Sequence, residues 1–320
     1  MIGSSIAGAL PRPQELISKT RSYDRGKLTE EELDTAFKTA TAIMVKTQLD
    51  AGITLINDGM LRRQDLLRPF STHLKNVEVG PMLRWFNNNT FYKAPLVKGE
   101  IEWKDPATFG EMYMDLLPKS SELKVVLPAP YTFAVLAHDG YYKNKVKLMN
   151  AFSESLNQEI KELEKKGFKH IQLSDPAIVY STTKVKQSDL KTIAKALEIV
   201  TDGIKAKTIL QTFFGDAEPI LNDTQNWAID SVGVDLYDTN LSALKRFKVK
   251  ALILGVIDAR NSIIEDPIDL TKIVSTIIKT LETDDIYVST NCDMDFLTWD
   301  KASEKINVIK KVVTELRRNQ

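Results

Sequence analysis

Residues Thr208-Ile-Leu-Gln-Thr-Phe-Phe-Gly-Asp216 decide how this chain is read. Positions 208–213 form a short apolar run of strand length. Gly215 supplies a turn, and a helix is expected from about Ala217. Polar and aromatic side chains gather at the carboxyl end of the run, where α/β folds hold their ligands. Outward from this stretch the same arrangement recurs at 2–5, 52–57, 124–128, 169–173, 232–236, 251–255 and 286–290. Several of these runs end in polar residues: Asp58, Ser174 with Asp175, Asp235, Asp258 and Cys292.

Helical patterns lie between the runs. Thr29 and Glu32 make a capping box, followed by an apolar face of Leu33, Phe37, Ala40, Met44 and Leu49. Residues 146–166 carry Leu148, Phe152, Leu156, Ile160 and Leu163 on one side, and Gly167 ends the helix. Further helices are expected over 189–203 and 301–316. Eight short strands mostly alternating with amphipathic helices predict a (β/α)8 barrel, an α/β fold in which residues 1–320 form a single barrel with one polar mouth. The alternative is a doubly wound open sheet. Its nucleotide-binding form needs Gly-x-Gly-x-x-Gly after the first strand or a Walker loop, and the sequence has neither.

Residues 60–123 interrupt the alternation between strands two and three. This insertion carries Leu61-Arg-Arg63, Arg84-Trp-Phe-Asn-Asn-Asn-Thr-Phe-Tyr92 and Lys98-Gly-Glu-Ile-Glu-Trp103, and is too long for an ordinary βα connection. It reads either as an element that covers a ligand or as a surface hairpin with a small core of its own.

Composition narrows the function classes. Lys+Arg and Asp+Glu both number 43 and are mixed along the 320 residues, so neither nucleic acid nor an anionic membrane is an expected partner. No run reaches the roughly 18 apolar residues of a membrane span. The N-terminus has no basic segment before its apolar part, and the only cysteine is Cys292. A cytoplasmic chain without disulfides is expected.

No motif for a common chemistry is present. The three histidines are His73 in the insertion, His138 in a loop and His170 at the start of strand four. There is no His-x-x-x-His, His-x-Cys or Cys-x-x-Cys spacing for zinc, no Gly-x-Ser-x-Gly, and no evident histidine partner for Cys292. Asp175 could bind an amino group, act as a base or simply cap the turn that Pro176 fixes. Asp258 and Arg260 could form an internal ion pair.

The chain resembles the cobalamin-independent methionine synthase family over nearly its whole length. The likeness lies in Pro11-Arg12-Pro13, Trp85-Phe86-Asn87-Asn88-Asn89, Leu127-Pro-Ala-Pro-Tyr-Thr132 and Ile171-Gln-Leu-Ser-Asp-Pro-Ala177. It continues in Gly255-Val-Ile-Asp-Ala-Arg-Asn261 and Ser289-Thr-Asn-Cys-Asp293. The resemblance implies a (β/α)8 barrel. Full-length members have two such barrels, of which the C-terminal one holds zinc and homocysteine and the N-terminal one helps bind the tail of 5-methyltetrahydrofolate. The family's His-x-Cys at strand five, glutamate at strand six and cysteine after strand eight correspond here to Gln211, Phe213, Asp235 and Cys292. An amide and a phenyl ring do not replace imidazole and thiolate, so zinc is not expected in this chain.

The family's Asp-Glu-Pro after strand four reads Ser174-Asp175-Pro176. The resemblance thus implies a barrel most like the zinc-less N-terminal one, here standing alone. It would contribute Arg12, Arg84, Asn87, Ser174 and Asp175 to binding of a 5-methyltetrahydrofolate-type donor or other small-molecule ligand. It would work beside a separate zinc-bearing barrel in methyl transfer to homocysteine, a step of methionine biosynthesis, with no tightly bound cofactor of its own. Two other readings remain: a non-catalytic partner that regulates a synthase, and a metal-free lyase or decarboxylase related to uroporphyrinogen decarboxylase.

Overall fold

The computed structural model describes residues 1–319 other than 87, 120, 184, 282 and 284. In chain order the strands are β1 (Ile2–Ser4), β2 (Leu55–Ile56), β3 (Leu74–Arg84), β4 (Phe91–Trp103), β5 (Glu122–Pro128), β6 (His138–Asp139), β7 (His170–Ser174), β8 (Lys207–Gln211), β9 (Ser231–Asp235), β10 (Ala251–Ile257) and β11 (Asp285–Thr290). The helices are α1 (Gln14–Asp24), α2 (Glu30–Asp50), α3 (Arg68–His73), α4 (Pro130–Leu136), α5 (Lys145–Lys165), α6 (Gln187–Thr201), α7 (Glu218–Thr224), α8 (Pro267–Ile278) and α9 (Trp299–Arg318).

Eight strands pair in the order β1-β11-β10-β9-β8-β7-β5-β2, and every pairing is parallel. The ends of this sheet meet beside Thr54, whose N–H donates to Ser4 O at 3.2 Å while its Oγ1 accepts from Ser4 N at 3.0 Å. The architecture is a (β/α)8 barrel. Near-continuous apolar strands suit a parallel sheet covered by helices, and β5, β7, β9 and β10 are buried almost throughout.

The barrel interior is built in layers. Its lower layer is apolar: Leu55, Ile209, Ala251, Ile253 and Tyr287 pack together. The Tyr287 ring passes so close to Gly3 that a Cβ there would stand 2.6 Å from it, which explains the glycine in β1. Above lies a polar layer. Lys124 Nζ, fully buried, donates to Ser5 Oγ (2.9 Å), Ile6 O (2.5 Å) and Gln172 Oε1 (2.6 Å). Gln172 Nε2 in turn donates to Ser174 Oγ at 3.1 Å. Three acceptors around one amine satisfy a group that would otherwise be costly to bury.

The capping box at Thr29 and Glu32 is present, and the face of 148, 152, 156, 160 and 163 is buried as expected. Five expectations need correction. Leu49 is exposed, and Gln48 takes its place inward because its amide exchanges hydrogen bonds with the backbone of Asn57, steadying the end of β2. The fifth barrel strand ends at Gln211 rather than at 213, although Thr212 N still donates to Gly233 O at 2.9 Å, and the backbone turns left-handed at Phe214 (φ 68°). The seventh extends to Ile257, and the second is only two residues long. His138 lies in β6 rather than in a loop.

The insertion is a hairpin. β3 and β4 pair antiparallel, and β6 joins the outer side of β4. Its return path is pinned by Glu159 of α5, a buried carboxylate that accepts from Ala107 N (2.8 Å), Thr108 N (2.9 Å), Thr108 Oγ1 (2.7 Å) and Trp103 Nε1 (3.2 Å). The hairpin shares the core of the barrel: Val77, Tyr92, Ala94 and Val97 belong to one buried cluster with Phe152 and Leu173.

Candidate functional site

The hairpin tip reaches over the carboxyl ends of the barrel strands. Phe86 packs edge-on against Tyr180 after β7 (5.1 Å between centroids) and lies 6.3 Å from Phe214 after β8. Phe214 in turn meets Phe296 after β11 at 6.0 Å. Met60, Phe86 and Phe214 all hold positive φ without being glycine. Backbone of this kind persists only where its surroundings over-determine it, and it gathers at binding sites. An aromatic roof thus joins the insertion to three barrel loops.

Beside this roof, on the Trp85 side of Phe86, is a cavity of about 320 Å³. Its aromatic wall is Trp85, Phe91 and Tyr92 from the hairpin. Arg12 comes from the loop after β1, Arg63 and Asp65 from the loop after β2, Ser174 from β7, and Asp293 and Asp295 from the loop after β11. Arg63 is almost fully buried in an ion pair with Asp58 (3.2 Å) and donates to Val126 O at 2.7 Å, while its Nε has no hydrogen-bond partner. Asp293 Oδ1 accepts from Ala9 N at 2.8 Å, and burial raises the pKa of its carboxyl despite the charge of Lys124. A lining that combines arginines, carboxylates and aromatic side chains suits a small polar ligand with a planar or apolar body.

The structure treats the expected site residues unequally. Arg12 and Ser174 line this cavity. Arg12 spends two donors on Leu61 O (Nε 3.1 Å, Nη2 2.7 Å) and lies over the Phe37 ring. Asp175 is buried just behind Ser174. It accepts from Thr132 Oγ1 at 2.6 Å, Oδ2 has no hydrogen-bond partner, and burial pushes the carboxyl up to about 7. Asp175 therefore holds a helix-α4 hydroxyl and does not cap the following turn with its side chain. Arg84 is not among the residues that line the cavity: it is exposed and stacks over Phe91, its partner across the hairpin, at 5.7 Å. Asn87 lies outside the described residues.

The four positions that match the family's zinc ligands do not fit the metal. Gln211 lies in the barrel interior above Gly233, where a Cβ would come within 2.0 Å of its Oε1. Phe213 is buried against Phe214. Asp235 is fully buried with its Oδ2 3.2 Å from Arg260 Nη2, and burial pushes its pKa up to about 6 against that charge. Burial raises the Cys292 thiol well above its ordinary range, and Sγ faces Asp293 O at 3.5 Å. Among the described residues no group of three or more His, Cys, Asp or Glu is placed to hold a metal ion.

Reading by sequence missed Arg63, Lys124 and Asp293 as site residues. Arg63 had a signal, since it follows a strand ending in Asp58 within reach of an ion pair. Lys124 had one too, as a lysine inside an otherwise apolar strand. His170 is packed as expected, with Nε2 3.0 Å from Glu122 Oε2 and its pKa lowered by burial.

Comparison with known proteins shows the family and supports the fold. The family described as cobalamin-independent synthase, N-terminal domain, matches residues 69–283. The methionine synthase of Saccharolobus solfataricus is 25% identical over 99% of this chain and 97% of its own length. That of Sulfurisphaera tokodaii is 26% identical over 100% of this chain and 95% of its own. A B12-independent methionine synthase from Shewanella sp. W3-18-1, solved in complex with selenomethionine, superposes with a TM-score of 0.84 at 23% identity, covering 99% of this chain and 98% of that one. That likeness is one of fold. No described helix is long and apolar enough to cross a membrane. The chain belongs to the cobalamin-independent methionine synthase family, matching its N-terminal domain.

Proposed function

We propose that this barrel is the zinc-less component of a two-chain methionine synthase, binding a 5-methyltetrahydrofolate-type donor while a separate barrel supplies zinc and homocysteine. One observation carries the reading. The mouth keeps a cavity with two arginines and an aromatic wall, while the positions matching the metal ligands hold an amide, a phenyl ring and an arginine-paired carboxylate beside one thiol. Aromatic faces suit a pterin-like ring, and arginines suit glutamyl carboxylates. Two thiolates, which would tune zinc toward a substrate thiol, are not available from Cys292 alone.

The test is methyl transfer from 5-methyltetrahydrofolate triglutamate to homocysteine by the purified chain, by a zinc-bearing single barrel of the family, and by the two mixed. Activity that requires both chains, together with donor-dependent quenching of tryptophan fluorescence in this chain that is lost on Trp85→Phe, supports the reading. Full activity of this chain alone would overturn the two-chain part. An effect on the zinc barrel without donor binding here would favour a regulatory partner.

A further inference from the structure

The carboxylate at the end of β9 has a cation beside it. Asp235 is fully buried, and a carboxylate in that setting needs a resident counter-charge. Arg260, from the loop after β10, provides it. Its Nη2 stands 3.2 Å from Asp235 Oδ2, its Nη1 donates to Asp238 Oδ2 at 2.8 Å, and its Nε lies 3.6 Å from Asp258 Oδ1. Arg260 thus hydrogen-bonds one carboxylate and stands at ion-pair distance from two more, and Asp235 Oδ2 itself has no hydrogen-bond partner. Asn291 Nδ2 ties the arrangement together by donating to Asp235 Oδ1 (3.3 Å) and Asp258 Oδ1 (3.2 Å), and Cys292 follows immediately.

The loop that carries Arg260 is itself anchored. Lys305 of α9, fully buried, donates to Glu265 at 2.8 and 2.9 Å and to Ile263 O at 2.6 Å, and Glu265 Oε1 accepts from Asp258 N at 2.8 Å. The guanidinium is held from both sides.

We propose that Arg260 is the built-in cation of this mouth, occupying the electrostatic place a divalent ion would take at Asp235, so that the barrel excludes metal by occupation as well as by loss of ligands. A zinc ion bound to Asp235 Oδ2 at about 2 Å would lie no more than about 5 Å from Arg260 Nη2, given their 3.2 Å separation. Two cations sharing one buried carboxylate repel at that distance. The inference stands whether or not the barrel works beside a zinc-bearing partner.

Restoring donors alone should therefore fail. Zinc per chain is measured by elemental analysis, after equilibration with zinc chloride and removal of loose metal, on full-length wild type, Q211H/F213C, Q211H/F213C/R260K and Q211H/F213C/R260M. Only the variant with Arg260→Met is expected to approach about one zinc per chain. The lysine variant keeps the charge and stays near background. Zinc held equally by Q211H/F213C, or a folded R260M triple variant that stays metal-free, overturns the proposal. Where the triple variant does not fold, a stability cycle decides in its place. The fall in urea midpoint caused by R260M should shrink to about half or less in a D235N background, and an equal fall in both backgrounds overturns the proposal.

Discussion

Thr132 Oγ1 donates to Asp175 Oδ1 at 2.6 Å, a bond between helix α4 and the end of β7 that leaves the other carboxylate oxygen without a hydrogen-bond partner. Burial pushes this carboxyl up to about 7, whereas in the unfolded chain it titrates near about 4. The folded protein thus binds the extra proton between those values. Its contribution to stability is greatest below about 4 and is lost as pH rises through about 7. Asp175→Asn keeps the acceptor for Thr132 and cannot ionise. The variant is expected to gain stability relative to wild type between pH values of about 4 and about 8. Urea midpoints at the two ends check this. An unchanged difference would mean that Asp175 titrates normally.

Lys124 ties β5 to the chain after β1 and to β7 through three acceptors within 2.9 Å. Burial pulls its pKa down to about 7 against the charge of Asp293. Lys124→Met fills similar space but leaves Ser5, Ile6 O and Gln172 unmet in a dry interior. A loss of about 2–4 kcal/mol is expected. Lys124→Met combined with Gln172→Leu should lose less than the sum of the two single variants, because the groups share one network. Strict additivity in denaturant unfolding would refute the network.

Glu159 is the anchor of the insertion. Replacing it with Ala strands two backbone N–H groups, the Thr108 hydroxyl and the Trp103 indole at once. The expected cost is about 3 kcal/mol, concentrated in the segment around residues 103–118. Limited proteolysis should cut there well before the barrel unfolds. Because the same insertion carries Trp85 and Tyr92 to the cavity, donor affinity should fall with it. Global unfolding without an early cut would show that the hairpin does not loosen separately.

The barrel was legible in the sequence because its signals are local. Thr29 with Glu32, the stripe from Leu148 to Leu163 and the runs at 208–213 and 251–255 each announce an element by themselves. Leu49 and Gln48 show the limit. Periodicity favoured the leucine, but the backbone of Asn57, nine residues on from Gln48, recruited the amide instead. The cavity was less visible, since it needs the hairpin to meet the end of β7 and the loops after β1, β2 and β11, and the aromatic roof beside it needs contacts with the loops after β7, β8 and β11. Nothing in the spacing of Phe86, Tyr180, Phe214 and Phe296 reveals that they touch. Motif likeness pointed to Arg12, Arg84 and Ser174, but only the folded hairpin shows that Arg84 is exposed, stacked over Phe91.

Arg12 and Arg84 therefore separate donor binding from surface charge. Arg12 lines the cavity, and two of its donors hold Leu61 O. Arg84 is exposed, lies over Phe91 and reaches Asn89 Oδ1 only at 3.5 Å. Arg12→Ala removes a cation from the cavity wall and loosens the loop after β2, so affinity for a folate triglutamate should fall about tenfold or more. Arg84→Ala should change it by less than about twofold, the value of a screened surface charge. Tryptophan-quenching titrations at low and high salt, with Trp85→Phe as the control, measure both. If Arg84→Ala weakened binding as much as Arg12→Ala, the donor tail would have to run over the outer face of the hairpin, and the cavity would be the wrong place to look for it.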